Sequence, residues 1–210
     1  MEDLITVFTP TYNREHTLKK LYQSLQKQTN MTFEWVIVDD GSEDNTEELV
    51  QKWILEEKNF PIIYFKKENE GKHTAINKGL DLAKGKMFFI VDSDDYLTED
   101  AIEKIIKDEK TIQNMQDKFA GIAMSKGFTN TELVGTTFKG EYVDATSLER
   151  KKHNINGDKA EIFYTEILKQ NRFPKFEGER FVTEALVWNR IAKQGYKLRW
   201  FQDIIYICCL

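Results

Sequence analysis

The sequence predicts an α/β fold, with a Rossmann-like, mainly parallel sheet flanked by helices and a smaller mixed region in the second half. Two observations lead to this prediction. Strands alternate with helices over about the first hundred residues, and two of the predicted strands end abruptly in acidic residues, at Asp39-Asp40 and at Asp92-Ser93-Asp94-Asp95. The chain has 210 residues, 40% of them hydrophobic, which is enough to bury a sizeable core.

Strand and helix patterns alternate regularly in the first half. The β-rich run 4–8 is expected to stop at Thr9-Pro10, because proline cannot continue a central strand. Apolar residues at helical spacing then predict a helix over 14–28. Similar signals predict strands at 33–38, 61–65 and 87–91, a helix capped at 44–47 and running to 54, and a short helix at 74–83.

The second half is less regular. An amphipathic helix is expected at 98–116 and a strand at 119–124, followed by a strand pair at 132–143 and a polar, mobile loop at 147–157. The remaining expectations are helices at 159–170 and 181–194 and strands at 198–201 and 204–207. The last apolar strand reaches the final residues, which suggests that the domain continues beyond the C-terminus.

Composition and charge exclude several functional classes. The net charge of −5 argues against a nucleic-acid partner, because such proteins normally present a basic face. Three scattered histidines and the adjacent pair Cys208-Cys209 fit neither a zinc site nor a disulfide framework. Without a stretch of transmembrane length or a signal peptide, the sequence predicts a cytoplasmic protein, with peripheral contact at the inner face of the membrane as an alternative.

The acidic run after the fourth strand is the most informative feature of the chain. Three carboxylates occur within four positions, at Asp92, Asp94 and Asp95. Carboxylates this close raise one another's pKa unless a cation or hydrogen-bond donors neutralise them. Oxygen ligands at short spacing suit Mg²⁺ or Mn²⁺ shared with the phosphates of a nucleotide. The alternative is an acidic turn that opens the next helix, with Asp95 or Thr98 as its N-cap.

Three strand ends are expected to meet at one edge of the sheet, at 9–13, 39–42 and 92–95. There Tyr12 could stack on a base, an acid of the second loop could accept the imide N–H of that base, and the third loop could hold a metal on a diphosphate. The chain has no GxGxxG motif, and Gly71-Lys72-His73-Thr74 lacks the features of a P-loop. An EF-hand is excluded because Leu97 stands where its glycine is required.

Five motifs follow one another in order: Thr9-Pro10-Thr11-Tyr12-Asn13; Asp39-Asp40-Gly41-Ser42 with Asp44 and Thr46; Asn69-Glu70-Gly71 through Ala75; Asn77-Lys78-Gly79; and Asp92-Ser93-Asp94-Asp95. This ordered set resembles the family 2 glycosyltransferases of the GT-A fold, closely over residues 4–110 and loosely to the end. The resemblance implies an inverting, metal-dependent transferase that uses a nucleotide-sugar, most often a UDP-sugar, with Mg²⁺ or Mn²⁺.

The resemblance also assigns roles to matched positions. Asp40 would bond uracil, Asp92 would face the ribose, and Asp94 or Asp95 would hold the metal. Many members carry arginine where this chain has Ile76, and Lys72 is a candidate substitute. The implied nucleotide-binding residues are Thr9, Pro10, Tyr12, Asp40, Lys72 and Asp92.

An inverting transferase needs a general base for the acceptor hydroxyl. In the family, a carboxylate that opens a helix in the second half has this role, four residues before an aromatic side chain. Glu184 precedes Trp188 by four residues and is the implied base, although Thr183 replaces the first acid of the usual Glu-Asp pair. Alternatively, Glu184 is a solvated acid that pairs with Arg180 or Arg190.

The expected organisation is a single GT-A domain over 1–210, with a nucleotide-sugar-binding half at about 1–97 and an acceptor-side half at about 98–210. The expected acceptor is a glycan or a lipid-linked glycan in glycan or cell-surface polysaccharide synthesis. The alternative function is a non-catalytic module that binds a nucleotide-sugar or a glycan. The intact acids at 92, 94 and 95 disfavour this alternative, because a binding module has no need of a metal site.

Overall fold

The structure is a computed structural model that describes residues 4–209. Strands and helices alternate in the first half of the chain, as predicted. They are β1 (Ile5–Thr11), α1 (Glu15–Gln26), β2 (Phe33–Asp39), α2 (Thr46–Glu56), β3 (Ile62–Lys66), α3 (Lys72–Leu82) and β4 (Met87–Ile90).

Short strands and helices make up the second half. They are β5 (Tyr96–Leu97), α4 (Ala101–Glu109), β6 (Phe119–Gly127), β7 (Tyr142–Ala145), a short 3-10 helix (Arg150–His153), β8 (Lys159–Tyr164), α5 (Thr165–Gln170), α6 (Glu184–Lys193) and β9 (Lys197–Ile207). The helices that the structure describes include none long and apolar enough to cross a membrane.

One mixed sheet joins the two halves. Within residues 4–209 it contains nine strands, in the order β3-β2-β1-β4-β8-β6-β9-β5, and β7 pairs with β9. The strands from β3 to β4 are parallel, whereas β8 is antiparallel to both of its neighbours. The predicted α/β architecture, a mainly parallel sheet followed by a mixed region, is therefore confirmed.

Apolar side chains cover both faces of the sheet. Helices α1, α2 and α4 pack on one face, where Leu21, Trp53 and Ile105 are buried. Helices α3, α5 and α6 pack on the other, around residues such as Leu80 and Ile191. Because helices cover both faces, the carboxyl edge of the parallel strands is left as the open surface for a ligand.

The first strand continues through Pro10, contrary to the prediction that it stops there. β1 pairs with β2 as far as Thr11, but with β4 only as far as Phe8. The carbonyl of Phe8 accepts from Val91 on the β4 side. By alternation, Pro10 faces that same side, where β4 has ended, so its missing N–H leaves no pairing unmade.

The largest error concerns the helix predicted at 159–170. Its first part is strand β8, and only Thr165–Gln170 is helical. β8 lies between β4 and β6, with Ile162 buried in one core and Phe163 in the other. Burial on both faces removes the alternation of polar and apolar residues that identifies a half-exposed strand.

Smaller differences also fall in the second half. The predicted helix 98–116 is shorter, at Ala101–Glu109, and the predicted loop at 147–157 contains the 3-10 helix. The strand pair predicted at 132–143 is replaced by isolated bridges and by β7, whose partner is β9. The two last predicted strands form one strand, β9, whose register against β6 shifts around Ser125.

Candidate active site

A cavity of about 360 Å³ opens where β1, β2 and β4 end, as expected from the three acidic and polar loops. The ring of Tyr12 is 45% exposed beside it. We call it the donor cavity, and its wall consists of Pro10, Thr11, Tyr12, Arg14, Asp40, Lys72, Asp92, Ser93 and Asp94.

The first two loops of the site are tied to each other. Asn13 has a positive φ of 53°, donates its N–H to the Ser42 hydroxyl and accepts the N–H of Glu43 on its side-chain oxygen. Asp44 and Thr46 accept the N–H groups of Glu15 and Arg14 at the start of α1. The Asp-Gly-Ser motif with its following acid and threonine therefore fixes the conformation of the loop that carries Tyr12.

Thr9 does not lie in the wall of the donor cavity. Its side chain is fully buried and accepts a hydrogen bond from Trp35 Nε1 at 3.0 Å. The Thr9 side chain thus packs within the sheet, and its contact with a nucleotide stays a prediction. Thr11 lies in the wall instead, and its buried hydroxyl has no hydrogen-bond partner among residues 4–209.

Asp40 lies in the cavity wall, but its carboxylate also has partners within the protein. Oδ1 accepts from Lys67 Nζ at 2.7 Å and from the N–H of Glu70, and Oδ2 accepts from the N–H of Gly71. These bonds connect the end of β2 with the start of α3. A nucleotide base would therefore have to share Asp40 with these donors.

Ile76 is buried in the core on the α3 side of the sheet and does not face the cavity. Lys72, one turn earlier on the same helix, lies in the cavity wall. Lys72 therefore stays the candidate substitute for the arginine that many members carry.

Asp94 and Asp95 have opposite surroundings, although they are adjacent. The side chain of Asp94 is 45% exposed and lies 3.5 Å from Arg14. Asp95 is 8% exposed, accepts from the Tyr206 hydroxyl at 2.7 Å and accepts from the N–H of Cys209 at 2.8 Å. Burial raises the pKa of Asp95 above its ordinary value despite these two bonds.

These surroundings make Asp94 the better candidate metal ligand and give Asp95 a structural role. Asp95 joins the acidic loop to the last strand, and neither Asp95 nor Thr98 caps α4, which follows Asp100. The part of the chain that the structure describes contains no group of three or more acidic, histidine or cysteine side chains arranged to hold a metal ion. A metal here would need phosphate oxygens as further ligands.

Lys72 forms the centre of the site. Its Nζ lies 2.7 Å from Asp92 Oδ1 and 2.8 Å from Glu184 Oε1. Burial lowers the pKa of Lys72, but the two carboxylates outweigh it and raise that pKa above its ordinary value. For Asp92 the two effects have the opposite signs. Burial raises its pKa, but the nearby Lys72 outweighs burial, and the net result is a pKa below the ordinary value. Both groups therefore stay ionised around neutral pH.

A second cavity, of about 540 Å³, lies on the other side of Lys72. We call it the acceptor-side cavity. Lys72 and Asp92 lie in the walls of both cavities, and Glu184 lies only in this one. The wall consists of Lys72, Ile90, Asp92, Lys126, Ser147, Arg150, Lys151, Asp158, Lys159, Glu161, Thr183, Glu184, Ala185, Trp188 and Asn189.

Glu184 is the first residue of α6, after the cap Thr183, whose hydroxyl accepts from the N–H of Ala185. The segment before α6 is held by α3. Asn77 accepts the N–H of Phe173 and donates to its carbonyl, and a Cβ on Gly71 would collide with the backbone of Arg180. These contacts of the Asn-Lys-Gly and Asn-Glu-Gly motifs bring Glu184 to Lys72, and not to Arg180 or Arg190 as the alternative reading expected.

Sequence patterns did not indicate several residues that lie in the walls of the two cavities. Arg14 directly follows the Tyr-Asn motif, so its place at the donor cavity had a local signal. Lys126, Arg150, Lys159 and Glu161 had none, because β6, the 3-10 helix and β8 meet only in the folded sheet.

A model of the family described as Glycosyl transferase family 2 matches residues 6–132. The chain belongs to this family. The matched residues of this family 2 chain include all five motifs between Thr9 and Asp95.

Two curated relatives of this family 2 chain come from Streptococcus pneumoniae and Campylobacter jejuni. It is 32% identical over 152 residues, 70% of its length and 21% of the relative, to glycosyltransferase GlyA of Streptococcus pneumoniae. It is 28% identical over 197 residues, 90% of its length, to GalNAc(5)-diNAcBac-PP-undecaprenol beta-1,3-glucosyltransferase of Campylobacter jejuni. The chain spans about a fifth of the first relative and 60% of the second.

Solved structures share the fold. TarS of S. aureus (1-349), in complex with UDP, superposes with a TM-score of 0.70 at 23% identity, covering 98% of this chain and 60% of that one. The mannosyltransferase PcManGT of Pyrobaculum calidifontis, in complex with GDP-Man and Mn²⁺, superposes with a TM-score of 0.65 at 21% identity, covering 95% and 54%. The GT-A fold expected from the sequence is confirmed.

Proposed function

We propose that this family 2 chain is an inverting glycosyltransferase that moves a sugar from a UDP-sugar to an acceptor hydroxyl in glycan or cell-surface polysaccharide synthesis. The observation that carries the proposal is the position of Lys72 between Asp92 and Glu184, with one cavity on each side. The UDP-bound TarS neighbour and the lipid-linked substrate named for the Campylobacter relative support the donor and acceptor classes.

In this proposal the donor cavity holds UDP. Tyr12 and Pro10 contact the base, and Asp40 supplies an acceptor for its imide N–H. The sugar lies near Asp92, where the two cavities meet. Lys72 stays protonated and therefore stabilises the negative charge that develops on the diphosphate.

Glu184 is the proposed general base. Its carboxylate takes the proton of the acceptor hydroxyl while the acceptor oxygen attacks the anomeric carbon. The bond between that carbon and the UDP oxygen breaks, and UDP leaves with the electron pair. Attack from the face opposite the leaving group inverts the configuration.

The residues fit a divalent metal of the expected kind. Mg²⁺ is commonly bound by one or two carboxylates together with substrate phosphates, and Asp94 presents an exposed carboxylate at the donor cavity. Mg²⁺ or Mn²⁺ bound at Asp94 would offset charge on the departing UDP.

Exchange of Glu184 for glutamine tests the proposal. Glu184→Gln keeps an oxygen that can accept from Lys72 but removes the proton acceptor, so turnover should fall about 10²- to 10⁴-fold. UDP affinity should change by no more than a few-fold, because Glu184 lies outside the donor cavity. Turnover is measured as UDP release from a UDP-sugar with an acceptor, and UDP affinity by calorimetry.

Glu166→Gln is the matched control. Glu166 also lies in the first turn of a helix, α5, and pairs with a lysine, Lys169, at 3.1 Å. This variant should keep wild-type turnover. Full turnover in Glu184→Gln would remove Glu184 from the mechanism, and a wild-type protein that binds UDP but transfers no sugar would favour the binding-module alternative.

A further inference from the structure

The acceptor-side cavity contains a cluster of cations that the transfer reaction, as proposed, does not use. Lys126, Arg150 and Lys159 lie in its wall, on β6, the 3-10 helix and β8. The whole chain has a net charge of −5, so basic side chains gathered at one cavity run against the overall balance. We call these three residues the basic cluster.

Two of the four acids in this wall, Asp92 and Glu184, already pair with Lys72, which leaves Asp158 and Glu161 for the basic cluster. Glu161 lies 3.3 Å from Arg150, and burial raises the pKa of Glu161 to about 7, although Arg150 and Lys126 oppose this effect. Three cations therefore surround one carboxylate that is only partly ionised near neutral pH. Asp158, also in the wall, is the other acid that acts on this group.

Two of the three cations, Lys126 and Lys159, form no ion pair with residues 4–209, whereas Arg150 pairs with Glu161. Lys126 Nζ lies 4.1 Å from the centre of the Tyr206 ring and forms no ion pair with residues 4–209. Lys159 Nζ donates to the carbonyl of Val134 at 3.0 Å. Burial lowers the pKa of Lys159, and the nearby Arg150 lowers it further. An anion between these side chains would relieve the repulsion.

We propose that the basic cluster binds a phosphate group carried by the acceptor, close to the hydroxyl that is glycosylated. This inference rests on the proposed function. The cluster lies in the cavity that contains Glu184, where an acceptor must be, and outside the wall of the donor cavity. Cations converging from three elements suit a phosphate, which offers three strong acceptor oxygens, better than the single charge of a carboxylate.

The test measures anion binding while UDP and Mg²⁺ saturate the donor cavity. Calorimetry follows the titration of glycerol 3-phosphate, glycerol and glucuronate into the wild-type protein. Glycerol 3-phosphate should bind, glycerol should not, and glucuronate should bind at least tenfold more weakly than glycerol 3-phosphate. No binding of glycerol 3-phosphate, or equal or stronger binding of glucuronate, overturns the proposal.

Lys126→Gln should weaken glycerol 3-phosphate binding by about tenfold or more, the effect of losing one charge-assisted contact. Lys78→Gln is the matched control. Lys78 is also partly buried and lies over an aromatic ring, that of Phe65, at 4.1 Å, but it is outside both cavities. If both variants bind glycerol 3-phosphate equally weakly, the proposed phosphate site is refuted.

The same titrations separate this inference from the proposed function. If the wild-type protein binds UDP but not glycerol 3-phosphate, only the proposed phosphate site is refuted and the proposed function stands. A protein that does not bind UDP at all contradicts the proposed function itself. Because Lys126→Gln leaves the donor cavity intact, its affinity for UDP should equal that of the wild type and serves as the check of folding.

Discussion

Asp94 and Asp95 are adjacent in one short loop but have different roles, and their hydrogen bonds and ion pairs distinguish these roles. Tyr206 accepts from the N–H of Asp92 at 3.0 Å and donates to Asp95 at 2.7 Å. Its hydroxyl therefore has both a donor and an acceptor inside the protein. Among residues 4–209, Asp94 forms an ion pair with Arg14, and its half-exposed carboxylate remains available to a ligand.

Asp95→Asn should destabilise the protein without ligand. The side-chain amide of asparagine has one oxygen and one N–H₂ group. Its N–H₂ would face either the Tyr206 hydroxyl, which already accepts from the N–H of Asp92, or the N–H of Cys209, which is itself a donor. A buried donor without an acceptor costs about 1–3 kcal/mol of the free energy of unfolding. Urea denaturation without nucleotide or metal measures this loss.

Asp94→Asn is the comparison for this experiment. The Asp94 side chain is 45% exposed and its pairing with Arg14 is long, so its exchange should change the free energy of unfolding by less than about 0.5 kcal/mol. A variant of Asp94 that loses as much stability as that of Asp95 would contradict the division of tasks between them.

Glu161 should make stability depend on pH. Burial raises the pKa of Glu161 from 4.5 to about 7, and the negative charge of Asp158 also raises it. The positive charges of Arg150 and Lys126 lower this pKa but do not outweigh burial. Between these pH values the folded protein binds more protons than the unfolded chain, so the free energy of unfolding falls as pH rises. Between pH 5 and 7.5, Glu161 should lower the free energy of unfolding by at most about 3 kcal/mol. Lys159 also faces this carboxylate.

Glu161→Gln should flatten this pH dependence, as measured by urea denaturation at pH 5 and pH 7.5. Asp108, whose pKa burial raises to about 6, contributes a fall of the same sign that remains in the variant. The exposed Glu177 is the control position, and Glu177→Gln should follow the wild type. An unchanged difference between the two pH values in Glu161→Gln would show that Glu161 ionises normally.

At the scale of elements, α3 must approach the sheet closely. Gly79 faces Phe8, which is fully buried and stacks on Phe88 with ring centres 5.0 Å apart. A Cβ on Gly79 would collide with the Phe8 ring. This contact explains the glycine of the Asn-Lys-Gly motif, and the asparagine next to it holds the segment that leads to α6.

Gly79→Ala should therefore destabilise the protein. Alanine favours a helix over glycine by about 1 kcal/mol, but overpacking a core typically costs about 1–3 kcal/mol. We expect a net loss of about 1–2 kcal/mol in the free energy of unfolding, measured with urea. If the cause is the Phe8 ring, Gly79→Ala should cost less when combined with Phe8→Leu, whose side chain leaves more room. A single variant more stable than the wild type would contradict the close contact.

Local sequence patterns predicted the elements of the parallel half because their strands are apolar runs that end at turn or acidic residues, and their helices carry apolar residues at helical spacing. β7 has only four residues and β8 is buried on both faces, so neither had a clear local signal. The position of the acidic loop Asp92–Asp95 at the end of β4, beside the donor cavity, was predictable. The division between Asp94 and Asp95 was not, because Tyr206 comes from the last strand.

At the scale of the whole molecule, ligand binding should appear as a gain in stability that depends on metal. UDP at about 100 times its dissociation constant should add roughly 2.7 kcal/mol to the free energy of unfolding. The gain should be much larger with Mg²⁺ or Mn²⁺ than with EDTA, because the diphosphate and the carboxylate of Asp94 would share the ion. Thermal unfolding with each additive measures it.

Asp94→Asn should remove the part of this gain that requires metal. Asp81→Asn is the matched control, because Asp81 forms a similarly exposed pair with an arginine, Arg172, away from the donor cavity. Equal gains with metal and with EDTA in the wild type would remove the metal from the proposal. Loss of the gain in Asp81→Asn would show that the effect is not specific to the cavity.

The bond between Asp95 and Tyr206 also has a consequence for the order in which the nascent protein matures. Strands β1 to β4 require only residues up to 90, whereas Tyr206 and Cys209 follow Asp95 by 111 and 114 residues. At about 5–20 residues per second, the ribosome needs roughly 6–23 s to add them. For that time the parallel strands can already be paired while the acidic loop is still untethered. The acidic loop can thus be tethered only well after the parallel strands have been synthesised.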